Sequence, residues 1–458
     1  MGTDSPASTS AEIASLVLSG EVLHPGAPGY DLARRIHNGL IDKYPKLIAR
    51  SAGTADVVDA VNYGRDQGLE IAIRGGGHNV AGRSTVEGGL MIDLSAMRGV
   101  YVDARACVAH VQGGATWALV NRETQIHGLA VTGGVISSTG VAGLTLGGGI
   151  GWLMSKYGLA LDNLVSAELV TAQGKVVRAN AEQYADLFWA IRGGGGNFGV
   201  ATSFEFKLHP VGPMVTGGLV AHPFPKAQEM LRFFRDRTQS LPDEMTLVAA
   251  LTHAPDGSGM PISAIAAAHF GSLAEGAAAV KPIKDFGPPI MDVLGPIPYT
   301  ALNGMLDAGY PRGALNYWKS AFLKELSDGA IDTMVACFAR CPTPMSGLLL
   351  EHFHGAVTRI APTATAFPHR QVGYNLLVLA QWMDPAQTSA CIAWCKETYE
   401  TLRPFMADSR YVNYLGDDEM QDQAMAAAYG PNQARLRQIK AKYDPDNLFH
   451  LNQNIRPG

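Results

Sequence analysis

The 458-residue chain is short of cysteine, of charged residues and of long apolar runs. Its five cysteines are an odd and sparse set, which argues against a disulfide framework. Charged residues make up 17%, with a formal net charge of -5 and no basic run, which argues against nucleic-acid binding. No apolar run is long enough to span a bilayer, so we expect no membrane-spanning segment.

The N-terminal stretch MGTDSPASTSAEIASL lacks the basic region and the apolar core of a secretory signal. Pro6 also breaks the pattern for myristoylation. These absences together favour a soluble, cytoplasmic protein without a membrane partner. The sequence leaves a monomer and a homodimer open.

Glycine, by contrast, is abundant. The chain has 52 glycines, about 11% of its residues against a usual value of roughly 7%. Three clusters, 75–77, 147–149 and 193–196, all fall in the first half of the chain. Hydrophobic residues at 47% allow a sizeable core, and the length favours two domains or one domain with a large insertion.

Short strands and helices alternate from about residue 45 to residue 210. Thr54 is a candidate cap for the helix after the first strand, and Asp56 would lie in its first turn. A helix is predicted over 182–191 from its helical spacing of apolar residues. Strands are predicted at 47–50, 69–74, 90–94, 107–112 and 200–208.

The pattern changes after the Pro-Val-Gly-Pro stretch at 210–213. Glycine clusters stop, and broad strands such as 347–357 and 374–382 appear. We interpret 213–405 as a second, α+β domain. The tail from 406 contains one more helix at about 432–443, which Pro445 ends.

The first glycine loop, RGGGHN at 74–79, follows a predicted strand. Successive backbone N–H groups in such a turn form an anion-binding nest that suits a pyrophosphate. His78 places a nucleophilic side chain at the edge of the same loop. A tight turn with a surface histidine is an equally open interpretation of this pattern alone.

Two further glycine-rich stretches lead to different interpretations. Residues 133–152 are almost free of charge and rich in Gly, Ser and Thr, which suits a flat, partly anionic ligand or an irregular core segment. Residues 194–199 match G-x-G-x-x-G, but a helix precedes them and a strand follows. Because a dinucleotide fingerprint needs the reverse order, we reject a Rossmann site and a nicotinamide cofactor, and we expect a turn with glycine at positive φ.

Seven segments in order along the chain resemble the FAD-linked oxidases of the vanillyl-alcohol-oxidase type, in their berberine-bridge-enzyme-like branch. They cover nearly the whole chain, and together they are highly specific. The segments are IAIRGGGHNVAG (71–82), GLTLGGGIGWL (143–153), KYGLALDNL (156–164), DLFWAIRGGGGNFGV (186–200), TAFPHR (365–370), RYVNYL (410–415) and YDPDNLFHLNQNI (443–455).

The resemblance implies an α+β fold of two domains. The FAD-binding domain, of the PCMH type, would comprise residues 1–212 together with 406–458. The substrate-binding domain, 213–405, would be inserted between them. Its large antiparallel sheet, flanked by helices, would cover the flavin.

The resemblance also implies the cofactor contacts. His78 occupies the position of the histidine that bonds covalently to the flavin 8α-methyl group. Pyrophosphate, ribityl and ring contacts would come from Arg74, Gly75, Gly76, Gly77, Asn79, Val80, Gly82, Thr139, Gly140, Gly143, Leu144, Gly147, Gly148, Gly149, Gly151, Trp152, Val200 and Asn452.

Two positions depart from the pattern of many members. Ile136 stands where those members carry a second covalent link through cysteine, so we expect attachment of FAD through His78 only. Leu377 stands where some members carry a carboxylate or amide. A glutamate base at that position is absent, which gives more weight to Tyr414.

The implied reaction is oxidation of a small organic substrate. Hydride would leave an alcohol or amine carbon for flavin N5, and O2 would reoxidise the flavin to give hydrogen peroxide. Tyr414 is the candidate base, and it would need a lowered pKa to work near neutral pH. We expect the substrate to resemble a secondary metabolite rather than a sugar, as a neutral or weakly basic ring compound.

The substrate pocket is assigned to His352, His354, Tyr374, Gln381 and Tyr411. A metal site at the paired histidines is the weaker alternative, and we expect no metal. Two other functions stay open. One is a dehydrogenase that uses another acceptor, although Thr145 is compatible with access for O2. The other is a flavoprotein that only sequesters a ligand.

Overall fold

The computed structural model describes residues 16–419 and 422–458. Residues 1–15, on which the prediction of no secretory signal and no myristoylation rests, lie outside these ranges. Within them, no helix combines the length and the apolar character needed to cross a bilayer.

The first sheet has the strand order β1-β2-β4-β3, and its members are β1 (Glu21–Leu23), β2 (Leu47–Arg50), β3 (Ile71–Arg74) and β4 (Leu90–Asp93). The last three strands are parallel, and helices α1 (Tyr30–Arg34) and α2 (Thr54–Asp66) precede and connect them. Their apolar runs are buried, as is usual for parallel strands covered on both faces.

The second sheet is antiparallel, in the order β5-β6-β10-β8-β9, and a short pair β11-β7 lies outside it. The elements are β5 (Val100–Asp103), β6 (Val108–Gln112), α3 (Trp117–Gln125), β7 (Leu129–Ala130), α4 (Val141–Gly147), α5 (Met154–Tyr157), β8 (Leu164–Val170), β9 (Val176–Asn180), α6 (Ala185–Ile191), β10 (Val200–Lys207) and β11 (His209–Pro210).

The third sheet is large, with the order β15-β12-β14-β13-β18-β19-β17 and β16 paired to β12. Its described pairs are antiparallel, and helices cover one of its faces. The elements are β12 (Met214–Pro223), α7 (Ala227–Thr238), β13 (Met245–His253), β14 (Pro261–His269), α8 (Leu273–Asp285), β15 (Met291–Asp292), β16 (Gly295–Pro298), α9 (Tyr299–Gly304), β17 (Leu315–Leu323), α10 (Asp328–Phe338), β18 (Gly347–Phe353), β19 (Gly373–Trp382) and α11 (Thr388–Leu402).

The tail returns to the first half of the chain through α12 (Asp422–Tyr429) and α13 (Gln433–Tyr443). Lys440 on α13 is fully buried and pairs with Asp444 at 2.6 Å. Its ammonium also donates to the backbone oxygens of Asn197, at 2.7 Å, and Phe449, at 3.0 Å. This buried network fixes the tail beside the glycine-rich turn at 194–199.

Most predicted elements are present with bounds shifted by a few residues, but the predicted cap is wrong. Gly53 is the cap residue of α2, and the Thr54 hydroxyl donates to Glu168 instead. The Asp56 carboxylate accepts hydrogen bonds from the backbone N–H groups of Gly20 and Ala52. The broad strand predicted over 347–357 ends at Phe353, because a short 3₁₀ turn follows.

Candidate active site

One cavity lies between the glycine-rich loops and the large sheet. Its floor, as we call it, is formed largely by the glycine-rich stretches and the tail, and nine of its residues are glycines. The floor residues are His37, Ile71, Ile73, Gly75, Gly76, Gly77, His78, Asn79, Arg83, Ser84, Leu94, Gly134, Val135, Ile136, Thr139, Gly140, Ala142, Gly143, Leu144, Leu146, Ile150, Gly195, Gly196, Gly199, Ala201, Phe449, Leu451, Asn452 and Gln453.

The floor needs glycine because two of its loops cross in direct contact. A Cβ atom on Gly76 would overlap the backbone N and Cα atoms of Gly140, and the reverse also holds. Gly77 adopts φ of 71°, a conformation that costs other residues energy. The backbone therefore approaches the cavity without a side chain in between.

His78 lies on the floor with its imidazole held by three neighbours. Its Nε2 atom is 2.8 Å from Ser138 Oγ, and its Nδ1 atom is 3.5 Å from Thr139 Oγ1. The ring stacks on His37 with 3.9 Å between centroids. Burial, and then the nearby His37 and Arg312, lower the pKa of His78 to about 3. The imidazole is therefore neutral at physiological pH and keeps a lone pair for bond formation.

Four buried polar atoms on the floor have no hydrogen-bond partner in the described part of the chain. They are Arg83 Nε, Ser84 Oγ, Asn452 Oδ1 and Gln453 Nε2. Buried polar groups are nearly always paired, so these atoms indicate a polar ligand in the cavity. Together with the nest of glycine N–H groups they fit FAD, whose pyrophosphate and ring edges present acceptors and donors.

The opposite wall of the cavity, which we call the roof, is built from larger side chains. They come from the large sheet, from the 3₁₀ turn Val412–Tyr414 and from the segment before β17. The roof residues are Leu306, Tyr310, Trp318, Leu349, Glu351, Leu377, Asn413 and Tyr414.

Glu351 is the only acidic residue among the described residues that line the cavity. Its carboxylate accepts hydrogen bonds from Tyr414 Oη at 3.0 Å and from Asn375 Nδ2 at 2.7 Å. Asn375 is the cross-strand partner of Glu351, while Leu377 is paired with Leu349. A carboxylate thus reaches the roof from the strand next to the one on which the family pattern places it.

Burial controls the acidity of both groups. It raises the pKa of Glu351 to about 7, with the hydrogen bonds from Asn375 and Tyr414 opposing the shift. Burial and the neighbouring carboxylate raise the pKa of Tyr414 well above its usual value. Tyr414 therefore lacks the lowered pKa that a free tyrosine base would require near neutral pH, because the closest charge is negative. Tyr414 is instead a hydroxyl that donates to Glu351.

The structure brings about half of the expected cofactor contacts to the cavity. Those on the floor are His78, Gly75, Gly76, Gly77, Asn79, Thr139, Gly140, Gly143, Leu144 and Asn452. Those that do not line it are Arg74, Val80, Gly82, Gly147, Gly148, Gly149, Gly151, Trp152 and Val200. Arg74 is a buried ion-pair partner of Asp93, and Trp152 packs in the core.

None of the five residues predicted for the substrate pocket lines the cavity. His352 and Tyr374 lie on the helix-covered face of the sheet because successive strand residues point to opposite faces. His354 stacks on His352 just beyond the strand. The Gln381 side chain donates to Asn316, and the Tyr411 hydroxyl binds the Gly149 N–H behind the wall.

No cluster of three or more potential metal ligands occurs in the ranges 16–419 and 422–458. His352 and His354 are buried as a stacked pair, with ring centroids 4.7 Å apart. The turn at 194–199 has positive φ at Gly195 and Gly199. It was expected only as a turn, but its residues Gly195, Gly196 and Gly199 also line the floor.

Sequence reasoning missed several residues of the site. Arg83 and Ser84 follow the first loop directly, and Gln453 follows the predicted Asn452, so extending each motif by a few positions would have found them. Tyr310 and Trp318 carry no local signal. The place of Tyr310 depends on how the segment before β17 crosses the cavity, and that of Trp318 on which face of β17 meets the cavity.

Comparison with known proteins defines the class. A family model described as an FAD binding domain matches residues 45–180, and one described as berberine and berberine like matches residues 410–456. An FAD-linked oxidoreductase of Dictyostelium discoideum is 32% identical over 417 residues, with 90% of this chain and 89% of that protein covered.

Two hydroxynicotine oxidases are also similar. (R)-6-hydroxynicotine oxidase of Paenarthrobacter nicotinovorans is 30% identical, with 96% of this chain and 98% of the relative covered. The crystal structure of 6-hydroxy-D-nicotine oxidase from Arthrobacter nicotinovorans superposes with a TM-score of 0.88 at 27% identity, covering 97% of this chain and 99% of that one.

The chain therefore belongs to the berberine-bridge-enzyme-like FAD-linked oxidoreductases, which are flavoproteins of the vanillyl-alcohol-oxidase type. The predicted α+β fold of this type is confirmed. The protein is an FAD-linked oxidoreductase.

Proposed function

We propose that this protein carries FAD covalently on His78 and oxidises a small organic substrate beneath the Tyr414–Glu351 pair, with O2 as the final electron acceptor. The observation that carries the proposal is a cavity with a glycine and imidazole floor and a hydroxyl–carboxylate roof. The domain limits 1–212, 213–405 and 406–458 are part of the same proposal. These limits are supported by the third sheet, because the strands from β12 to β19 form one sheet that roofs the cavity.

Two features support attachment through His78 only. The imidazole is neutral and is oriented by Ser138 and His37. Ile136 lines the floor where a second, cysteine link would come from, and no cysteine occurs among the described residues that line the cavity. When bound, FAD supplies the hydride acceptor and the electron path to O2.

The roof supplies the proton acceptor. Substrate oxidation requires that a proton leaves the O–H or N–H group beside the reacting carbon. The Tyr414 hydroxyl already donates to Glu351, so it accepts the substrate proton as its own proton passes to the carboxylate. This path does not require a lowered pKa for Tyr414, because the Tyr414 oxygen does not become a free phenolate. Trp318, at 6.0 Å between ring centroids and nearly perpendicular to Tyr414, helps to orient that ring.

The first experiment tests the covalent link. Purified protein is run on a denaturing gel, flavin fluorescence is imaged in acid, and the labelled peptide is identified by mass. We expect label on the peptide that contains His78 and none on any cysteine peptide. His78→Ala should lose acid-stable flavin completely, while His127→Ala, a change at an exposed histidine, should keep it.

The second experiment tests the oxidase. A panel of alcohols and amines is screened by flavin bleaching without oxygen and by peroxide formation in air. Bleaching without peroxide would favour a dehydrogenase. A flavin that no compound bleaches would favour a sequestering protein.

The cytoplasmic location and the choice between monomer and homodimer remain part of the proposal. Cell fractionation and gel filtration test them directly.

A further inference from the structure

Glu351 is a buried carboxylate without a cation. Its side chain is in the buried class, and its two hydrogen-bond donors, Asn375 and Tyr414, are both neutral. Within the described residues, no lysine, arginine or histidine forms an ion pair with it. Buried carboxylates are usually paired with a positive group, because an isolated ion is costly to remove from water.

The other groups that face Glu351 do not supply that charge either. The titratable neighbours are Tyr310, from the segment before β17, and Tyr411 and Tyr414, which belong to one short turn beside the roof. Burial raises the pKa of each, with the Glu351 carboxylate adding to the shift, so all three stay neutral at physiological pH. The positive partner is therefore absent from the residues that surround the carboxylate.

The surroundings suit a cation from outside the chain. The rings of Tyr310 and Trp318, which both line the cavity, lie 6.5 Å apart between centroids, and the ring of Tyr414 lies 6.0 Å from that of Trp318. The faces of tyrosine and tryptophan attract cations, and this attraction grows when water is excluded. Leu349 and Leu377 complete the roof with apolar surface that suits a ring.

Resting on the proposed function, we propose that the substrate is a small ring-bearing amine that enters as its ammonium ion and donates an N–H hydrogen bond to Glu351. This is narrower than the alcohol or amine class that the family defines. It also differs from the neutral or weakly basic compound expected from the sequence, where no acidic cluster was visible. One buried carboxylate is sufficient because no cation in the described part of the chain pairs with it.

The ammonium group also gives Glu351 a chemical role. An ammonium N–H bond breaks as its proton passes to the Tyr414 oxygen, and the Tyr414 O–H proton forms an O–H bond on the Glu351 carboxylate. The products are a neutral amine and a neutral carboxylic acid, so the net charge of the site does not change. The free nitrogen lone pair is what allows the adjacent carbon to release hydride, and a bound ammonium could not do so.

The test compares three probes of one shape and different charge on the flavin-loaded protein. They are benzylamine as its ammonium ion, benzyl alcohol and benzoate, each titrated at pH 8 with the flavin absorbance as the signal. We expect benzylamine to bind about tenfold or more tightly than benzyl alcohol, because charge-assisted hydrogen bonds are the stronger kind, and benzoate to bind most weakly. Equal binding of amine and alcohol, preference for benzoate, or no binding of the amine would each overturn the proposal.

A variant of Glu351 tests whether this residue causes the preference for the amine. Glu351→Gln keeps the size and the hydrogen bonds of the side chain but removes its charge. We expect it to weaken amine binding about tenfold or more and to change alcohol binding less than twofold. Equal losses for both probes would show a change of shape and would contradict the pairing. If the variant does not fold, the wild-type probe comparison decides the matter alone.

The pH dependence gives a separate check. Between pH 6 and pH 8 the Glu351 carboxyl ionises while the amine stays protonated, so amine affinity should rise about fivefold to tenfold. The alcohol, and the amine on Glu351→Gln, should show a flat profile. A flat profile for the amine on the wild-type protein would oppose the proposal.

Failure of this inference and failure of the proposed function would give different experimental results. Photoreduced protein that reoxidises in air with peroxide formation supports the oxidase without any substrate. Acid-stable flavin supports the covalent link. Both results together with amine-independent binding would reject the ammonium substrate alone.

Discussion

The floor and the roof of the cavity differ in what part of the chain makes the contacts. The floor uses backbone N–H groups from loops in which glycine permits close crossing, as Gly76 and Gly140 do. The roof uses single side chains, such as Glu351 and Tyr414, that project from separate elements. Replacement of a floor glycine therefore changes the shape of the chain, whereas replacement of a roof residue changes one chemical group.

This difference teaches how one fold serves several reactions. A floor made of backbone recognises the constant part of the chemistry, the cofactor, with no dependence on which side chains lie opposite. A roof made of side chains is free to vary residue by residue. The two walls should accordingly respond to mutation in separate assays, flavin content for the floor and turnover for the roof.

The largest effect is expected at the crossing of the two floor loops. Gly76→Ala places a methyl group against the backbone of Gly140, which cannot move aside as a flexible side chain would. We expect nearly complete loss of bound flavin. The measurement is the ratio of the flavin absorbance, at roughly 450 nm, to the protein absorbance, at roughly 280 nm. Gly53→Ala, where a Cβ would meet nothing within 4 Å, is the matched control and should retain flavin.

A roof substitution should leave flavin content unchanged and slow the chemistry. Tyr414→Phe removes the hydroxyl that donates to Glu351, and we expect flavin reduction to slow by about 10²-fold to 10⁴-fold. Stopped-flow absorbance without oxygen measures this step. Tyr374→Phe removes a hydroxyl that bonds to Thr238 on the other face, and its reduction rate should match the wild type. An unchanged rate for Tyr414→Phe would remove that residue from the proton path.

Glu351 should also affect stability in a pH-dependent way. Its folded-state pKa of about 7 lies above the ordinary value of 4.5, so its protonated form is favoured by folding. The favourable contribution is complete below about pH 4.5 and is lost as the pH rises through 7. Relative to Glu351→Gln, the ligand-free wild type should lose about 3 kcal/mol of unfolding free energy between pH 5 and pH 9. Denaturant melts of both proteins measure this, and parallel pH profiles would contradict the burial of a charged Glu351.

The smallest effect on catalysis is expected one residue further along the same strand. His352→Phe alters the helix-covered face, so flavin content and the rate of flavin reduction should stay within about twofold of the wild type. Burial, and then His354, lower the pKa of His352 to about 3. The wild type should therefore lose stability as the pH falls below 6.5, and the variant should lose less. A large loss of turnover would place His352 in the site after all.

The floor was largely predictable from the sequence because its residues are consecutive in motifs. Gly75, Gly76, Gly77 and His78 are neighbours in the chain and in space. Identifying their loop in the sequence therefore identified this part of the floor. The late helix and the change of pattern near residue 213 also follow local periodicity. The predicted cap at Thr54 failed because a distant glutamate, Glu168, competes for its hydroxyl.

The roof was not predictable in the same way. The choice between Glu351 and His352 is a choice of strand face, and it depends on the pairing of β18 with β19 rather than on either residue. Tyr310 reaches the cavity from the segment before β17, and Trp318 reaches it from β17 itself, and no motif marks either position. Sequence periodicity marks a strand but not which face meets a cofactor that lies on another part of the chain.

The tail contributes Phe449, Asn452 and Gln453 to the floor, about 370 positions after the first glycine loop. At synthesis rates of about 5–20 residues per second, that separation corresponds to roughly 20–75 s on the ribosome. The wall against which the cofactor lies is thus incomplete during most of translation. Loading with FAD belongs to the end of biogenesis, and a nascent chain released before Phe449 would lack the residues that close the site.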